Sequence, residues 1–311
     1  MIGNKYIVKL THLSAVITAL LFFYANNVSA ACSSETEFAK AYQQGNTAKL
    51  RAFATQLDSC KQGIKDKRRY YIANALYEEL AEKIPEDKVR IQDYAEILSI
   101  NPDFWKALVD TAEIALNAKD YQTAFKKYES ALVAIEHTLI DIKIPTALIL
   151  EIKDQADNAR LLASLTGYIE PTQTRDASGK PEGMHSFQVR GVEISCHKYP
   201  IRFAYNQDIL QGNDLKNAEQ LYSMLHANND PDINLTGHTD YKGTDAYNLK
   251  LSRKRANQVK DFLLLKKNYG GDIKVIAMGK RQPIKIHSKK RLQLSDREWR
   301  ALNRRVESCK Q

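Results

Sequence analysis

The sequence predicts an α + α/β chain: a helical repeat domain followed by a two-layer α/β sandwich with a mixed sheet. Three observations carry that expectation. From about Glu37 to Thr166, Gly and Pro are scarce and apolar residues recur at helical spacing. EPTQTRDASGKPEGMHS, Glu170 to Ser186, then interrupts the pattern with Pro, Gly, Ser and Thr and almost no apolar residue. Beyond it the period shortens to two in FQVRGVEI, IRFAY, INLTG and IKVIAMG, with helical stretches between them. Strands separated by helices over such a length pack as two layers.

The expected boundaries are 1–30 for a signal peptide, 31–167 for the helical domain, 168–187 for a linker and 188–311 for the α/β domain. At the start, Lys5 and Lys9 precede the apolar run LSAVITALLFFY, and Val28 and Ala30 occupy the −3 and −1 places of a cleavage site. The run is shorter than the roughly 20 residues of a membrane helix. An exported chain is therefore expected. Acylation of Cys32 fits less well, because Ser29-Ala30-Ala31 precedes it. The four cysteines, Cys32, Cys60, Cys196 and Cys309, are an even set, which in an exported chain favours disulfides. Of the three possible pairings, Cys32–Cys60 and Cys196–Cys309 keep each bridge within one expected domain. No CxxC pair exists, so a zinc ribbon has no support.

In the helical region, FWKALVDTAEIALNAKDYQTAFKKYESALVAI reads as helix–turn–helix. Trp105, Leu108, Ala112 and Ala115 share a face; a turn near Ala118–Asp120 follows; then come Tyr121, Ala124, Tyr128 and Ala131. The unit resembles the tetratricopeptide repeat, whose small residues let paired helices pack closely. About 34 residues earlier, Tyr71 stands for Trp105, Ala81 for Ala115, Tyr94 for Tyr128 and Leu98 for Leu132. The alternative is a plain bundle without repeat register. These aromatic and alanine positions are expected in the core. The resemblance implies a surface for an unidentified envelope protein, as such solenoids bind protein segments.

In the α/β region, Leu215, Ala218, Leu221 and Leu225 line one helix, and a second runs from about Thr244 to Lys267. A third, short helix has a capping box, Ser295 with Glu298 three residues on, and NRRVESC reads as a closing strand. The chain carries a formal charge of +9, concentrated here: 24 Lys and Arg stand against 13 Asp and Glu from Arg190 to Gln311. Such asymmetry points to an anionic partner.

The stretch GHTDYKGTDAYNLKLSRKRANQV, residues 237–259, contains a conflict. Tyr247, Leu251, Val259 and Leu263 form an apolar stripe at four-residue steps, and the step between Leu251 and Val259 lands on Arg255. Asp240 ends the preceding strand, and Gly237 and Gly243 bracket it. Asn248 lies two helical turns before Arg255 on the same face. A carboxylate and a guanidinium thus converge beside the core, where each needs compensation. Either Asp240 and Arg255 pair with each other, or each holds the opposite end of a zwitterionic ligand.

That stretch resembles the signature of the OmpA-like peptidoglycan-binding domain. IRFAYNQDIL is similar to its first strand and turn, GKRQP to its Gly-x-x-x-Pro turn and NRRVE to its closing strand, in order from about Pro200 to Ser308. The resemblance implies that Asp240 and Arg255 clamp the amino- and carboxyl-bearing end of the diaminopimelate side chain in peptidoglycan. It implies help from Asn248, Thr239 and the backbone near Asn206, with Arg304 lining the same groove. GKRQP is more basic than the family's pattern, and KIHSKKRLQLSD is a basic, insertion-like loop. The implied role is a non-catalytic protein of the Gram-negative periplasm, associated with the cell wall or outer membrane. A scaffold binding another anionic polymer is the alternative.

Other functions find little support. No HExxH spacing, Gly-x-Ser-x-Gly elbow or metal-ligand set accompanies His226, His238 and His287, so no catalytic residue, metal or cofactor is expected. The basic helix around Arg253 lacks interleaved aromatics for base stacking, which argues against nucleic acid as partner.

Overall fold

The computed structural model describes residues 32, 34–85, 88–138, 140, 142–165, 167, 186, 188–286 and 294–311. The expected signal peptide, the linker apart from Ser186, and residues 287–293 of the basic loop lie outside the described residues. The chain divides into two compact units. Among the described residues, one is drawn from those up to Ala118 and from His137–Lys143, the other from those in Lys119–Glu136 and Ile144–Gln311.

The first unit is helical: α1 (Glu35–Gln43), α2 (Thr47–Ala54), α3 (Gln62–Lys83), a 3-10 turn (Ile91–Tyr94), α4 (Ala95–Ile100) and α5 (Trp105–Asn117). Asn46 starts α2 by accepting the Lys49 amide proton at 3.0 Å, supplying an acceptor to an otherwise orphaned helix N–H. The core joins Phe38, Phe53, Tyr70, Ile72, Leu76, Tyr77 and Phe104. Edge-to-face ring pairs run through it, among them Phe38–Phe53 and Tyr77–Phe104. Buried Asp110 accepts hydroxyl protons from Tyr77 at 2.6 Å and Tyr94 at 2.9 Å. The Cys32–Cys60 disulfide forms, and buried Arg68 lies over Phe38 and pairs with Glu35 beside it.

The second unit takes α6 (Tyr121–His137) and α7 (Thr146–Ala163) as well as the C-terminal elements. The turn at Ala118–Asp120 forms where the sequence places it, and the compact units divide there. The helices of the expected 31–167 domain are thus shared between the two units. The physical reason lies on α7. Arg160 is buried with its guanidinium 3.9 Å above the Tyr199 ring, and it donates to Gln220 Oε1 at 2.7 Å. The same guanidinium lies 5.6 Å from the Phe125 ring of α6. Lys153 and Asp157, both buried, pair at 2.7 Å, and Asp154 takes Lys198.

A short hairpin, β1 (Gln188–Val189) and β2 (Val192–Glu193), opens the C-terminal part. It forms its own two-stranded sheet, so FQVRGVEI is not a strand of the main sheet. Arg190 and Gly191, both at positive φ, make its turn, the backbone that two-residue hairpins need. The main sheet holds β3 (Cys196–Arg202), β4 (Ile233–His238), β5 (Ile273–Gly279) and β6 (Arg305–Lys310) in the order β3-β6-β4-β5. β4 and β5 are parallel and the other pairs antiparallel, which is the expected mixed sheet. β3 begins five residues before the expected IRFAY strand and carries Pro200. An edge strand tolerates a proline because one side of its backbone needs no ladder partner. Cys196 and Cys309 face each other across β3 and β6, and their disulfide forms.

α8 (Asn213–Ala227) packs on β3, and α9 (Asp245–Asp261) packs on β4 and β5 and continues into a π turn, Phe262–Lys266. Tyr199, Ile201, Leu221, Leu225, Leu235, Ala256, Val259 and Val306 fill the layer between. α9 crosses β4 so closely that a Cβ at Gly237 would collide with the Ser252 carbonyl, so only glycine fits there. α10 (Asp296–Asn303) starts with the predicted capping box of Ser295 and Glu298.

If α7 belongs energetically to the sheet unit, Arg160→Ala removes the stack on Tyr199 and leaves Gln220 short of a donor. The expected cost is roughly 2–4 kcal/mol. It should appear as a lower unfolding midpoint for the probe reporting the C-terminal unit; an unchanged midpoint would contradict this account of α7.

Candidate functional site

The site forms where β3 ends, where β4 ends, and along the first turns of α9. Thr244 caps α9 by accepting the Tyr247 amide proton at 3.3 Å. The turn before it is held from inside the helix: Asn248, buried, donates to the Lys242 carbonyl at 2.9 Å. Asp240 therefore sits at a fixed place, 5% exposed, just beyond β4. Its Oδ1 accepts the Lys242 amide proton at 3.1 Å, and its Oδ2 accepts from Arg304 Nη1 at 3.0 Å.

Arg255 is 0% exposed and the largest fully buried side chain. Three backbone carbonyls take its protons: Gln207 from Nε at 3.0 Å, His238 from Nη1 at 3.3 Å and Ala204 from Nη2 at 3.3 Å. The Phe203 ring lies 5.3 Å from the guanidinium. Among the described residues no carboxylate comes within 4.0 Å of it. Burial first, and then the Arg304 charge, lower its pKa to about 10 against the opposing pull of Asp240. The internal pairing of Asp240 with Arg255, one of the two alternatives open from the sequence, is therefore not the pair that forms. Asp240 pairs with Arg304 instead.

The remaining predicted residues gather around these two. Asn206 holds a positive φ of 58° in the turn between Ala204 and Gln207, and its Oδ1 accepts the Tyr247 hydroxyl proton. Thr239 donates its amide proton to Gly279 at 2.9 Å, while its buried Oγ1 has no hydrogen-bond partner among the described residues. Arg304, at the C-cap of α10, also donates from Nε to the Phe203 carbonyl at 2.9 Å. Sequence reasoning missed that Arg304 neutralises Asp240, and that the carbonyls of Ala204 and Gln207 serve Arg255; carbonyls carry no residue-type signal. It also missed the exposed side chains Tyr205, Ile209 and Tyr241, and it placed Tyr247 in the apolar stripe of α9, whereas that side chain is 46% exposed; all four stand on the segments building the site. Tyr241 is steadied by Asp296, 2.7 Å from its hydroxyl. Among the described residues no group of three His, Cys, Asp or Glu is placed to hold a metal ion.

Residues 202–295 match the model of the OmpA family. Outer membrane porin F of Pseudomonas aeruginosa is 31% identical over 118 residues, covering 38% of this chain and 32% of that protein. The peptidoglycan-associated lipoprotein of Buchnera aphidicola is 32% identical over 84 residues, covering 27% of this chain and 49% of that one. The chain thus spans about a third of the first of these relatives and half of the second. Among solved structures, the peptidoglycan-associated lipoprotein of Burkholderia pseudomallei is 27% identical, with a TM-score of 0.30 over 35% of this chain and 87% of that one. Residues 202–295 of the chain are OmpA-like in sequence.

Behind the site, the end of β4 rests on a buried polar contact. His238 is buried with Nε2 3.6 Å from Glu307 Oε2, and Arg305 Nε lies 2.8 Å from the other carboxylate oxygen. Burial alone would raise the Glu307 carboxyl, but His238 and Arg305 more than offset it and hold the pKa at about 2. A carboxyl depressed in the folded state contributes stability above its unfolded pKa and loses it as pH falls through the folded value. Stability should therefore decline from about pH 4.5 toward pH 2, by on the order of 2–3 kcal/mol from this group. Thermal melts at stepped pH should show a shallower acid-side slope for Glu307→Gln than for the wild type.

Proposed function

We propose that this chain is a non-catalytic cell-envelope protein that holds peptidoglycan non-covalently through its C-terminal domain. The observation that carries this reading is Arg255, a buried guanidinium served among the described residues by carbonyls alone, beside a buried carboxylate in an OmpA-like stretch. Three carbonyl dipoles take one proton from each of its nitrogens but leave its charge without an anion, which is costly away from water. A ligand carboxylate supplies that anion, and Asp240 offers an acceptor for an ammonium group on the same ligand. The end of diaminopimelate in the stem peptide has both groups. Because Arg255 is sealed, a carboxylate reaches it only as the turn from Ala204 to Gln207 gives up one of its two bonds. Asn206, Asn248 and Thr239 shape the pocket around the ligand, the free Thr239 hydroxyl serving as a further donor.

Relatives whose names place them in the outer membrane or with peptidoglycan support the envelope role, and none of those names describes an enzyme. The basic C-terminal excess suits a polyanionic wall. The helical region presents a surface to a protein partner in the periplasm; in sequence it is the module 31–167, joined by 168–187 to the module 188–311, although its last two helices, α6 and α7, pack in the C-terminal unit. No helix of the described residues is long and apolar enough to cross a membrane.

The test is a pull-down of the full chain with purified cell-wall sacculi, beside thermal melting. Asp240→Asn and Arg255→Gln should each cost roughly 2–5 kcal/mol of binding, as for truncation of a buried charge. Arg255→Gln should also lower stability by about 1–3 kcal/mol, because carbonyls of Ala204, Gln207 and His238 lose donors. Folded variants that still sediment with sacculi like the wild type would sink the assignment.

A further inference from the structure

Among the described residues Asp240 already has a counter-ion and Arg255 has none, its hydrogen bonds going to carbonyls. Arg304 holds Asp240 Oδ2 at 3.0 Å while its Nε is pinned to the Phe203 carbonyl at 2.9 Å. It is a positioned counter-ion, 14% exposed at the side chain, rather than a chance surface partner. Together Asp240, Arg255 and Arg304 carry one excess positive charge. An anion is thus in demand at the site, whereas a ligand ammonium arrives at a carboxylate whose charge is already met. The two halves of a zwitterionic ligand are then unequal: the carboxylate is the half the site lacks, and the ammonium must compete with Arg304 for Asp240.

We propose that Arg304 is a specificity-determining residue of the site, a built-in rival of the ligand's ammonium that biases recognition toward the carboxylate. The inference rests on the peptidoglycan reading given above and adds which ligand group the site selects. A unit charge a few ångströms away in a partly buried site shifts affinity by about tenfold or more. Specificity between ligands is a difference of two such affinities, and a repulsive element sets it as effectively as an attractive one. Arg304 repels the ammonium and attracts the carboxylate, so its removal moves the two kinds of ligand in opposite directions. This separates it from Arg255, whose loss weakens every carboxylate ligand, and from Asp240, whose loss affects only those with an ammonium.

The experiment titrates the full chain by calorimetry with two probes, meso-diaminopimelate and pimelate, the same dicarboxylate chain without amino groups. For Arg304→Gln, pimelate binding should weaken about tenfold while diaminopimelate binding holds or tightens, so the ratio of the two affinities rises at least about tenfold. Equal losses for both probes would make Arg304 an ordinary carboxylate holder and overturn the inference, as would an unchanged ratio. Arg304→Lys, which keeps a cation beside Asp240, should leave the ratio near the wild-type value; a rise as large as that of Arg304→Gln would also overturn it. A measurement on the unaltered chain does not depend on how either variant folds. The NMR resonance of Arg304 Nε–H should shift on adding diaminopimelate and stay in place on adding pimelate; equal shifts, or none with diaminopimelate, would count against rivalry. Wild-type protein that binds neither probe nor sacculi would overturn the underlying reading of the site, an outcome distinct from a binding-competent chain whose ratio does not respond to Arg304.

Discussion

A guanidinium placed in a hydrophobic layer must find an acceptor for its protons, and the arrangement around Arg255 follows from that demand. Its three acceptors are main-chain carbonyls from two places in the chain, the turn after β3 and the last residue of β4. One side chain on α9 thereby fixes the helix, the end of a central strand and the turn beyond an edge strand to one another. Carbonyls buried without donors would each cost on the order of 1–3 kcal/mol, so the network is held from both sides. The positive φ of Asn206 belongs to the same arrangement, since the turn must bend for Ala204 and Gln207 to present their oxygens to one group.

The second guanidinium complements the first. Arg304 and Phe203 exchange backbone contacts, the Phe203 amide donating to the Arg304 carbonyl at 3.1 Å while the Arg304 side chain returns to Phe203. That exchange pins β3 to the approach of β6 at one end. The Cys196–Cys309 disulfide pins them at the other. Between these ends the register shifts, between His197 and Ile201. A bulged edge strand is prone to slip, and a one-residue slip would turn its side chains to the wrong face. The covalent tie and the arginine contact therefore both serve the position of the turn that holds Arg255.

α7 adds support from outside the expected domain. Arg160 covers Tyr199 and meets Gln220, so it ties the edge strand to α8 by a cation placed on an aromatic face. Its long stem and charged head suit this place because the apolar part can be buried while the guanidinium stacks on the ring and donates to Gln220. The sequence offers no sign of this, because a lysine- and arginine-bearing helix reads as solvent-facing until its neighbour is known.

What the sequence determined by itself was local. The helical and strand periods placed β4, β5, α9 and the turn between α5 and α6, because side-chain direction repeats every 3.6 or 2 residues whatever lies across the core. The caps at Thr244 and Ser295 were legible for the same reason, as they join groups three residues apart. Two disulfides followed from an even count and domain parsimony, and the family signature marked the stretch around Asp240 and Arg255. Tertiary structure alone decided which cation answers Asp240. Arg304 lies 64 residues from it along the chain, and no spacing rule selects it over Arg255, which is 15 residues away. It also decided that Pro200 belongs to a strand, since only an edge position makes that tolerable, and that α6 and α7 fall in the sheet unit. Each of these turns on a contact between residues distant in sequence, where the free energy depends on burial and on what stands opposite.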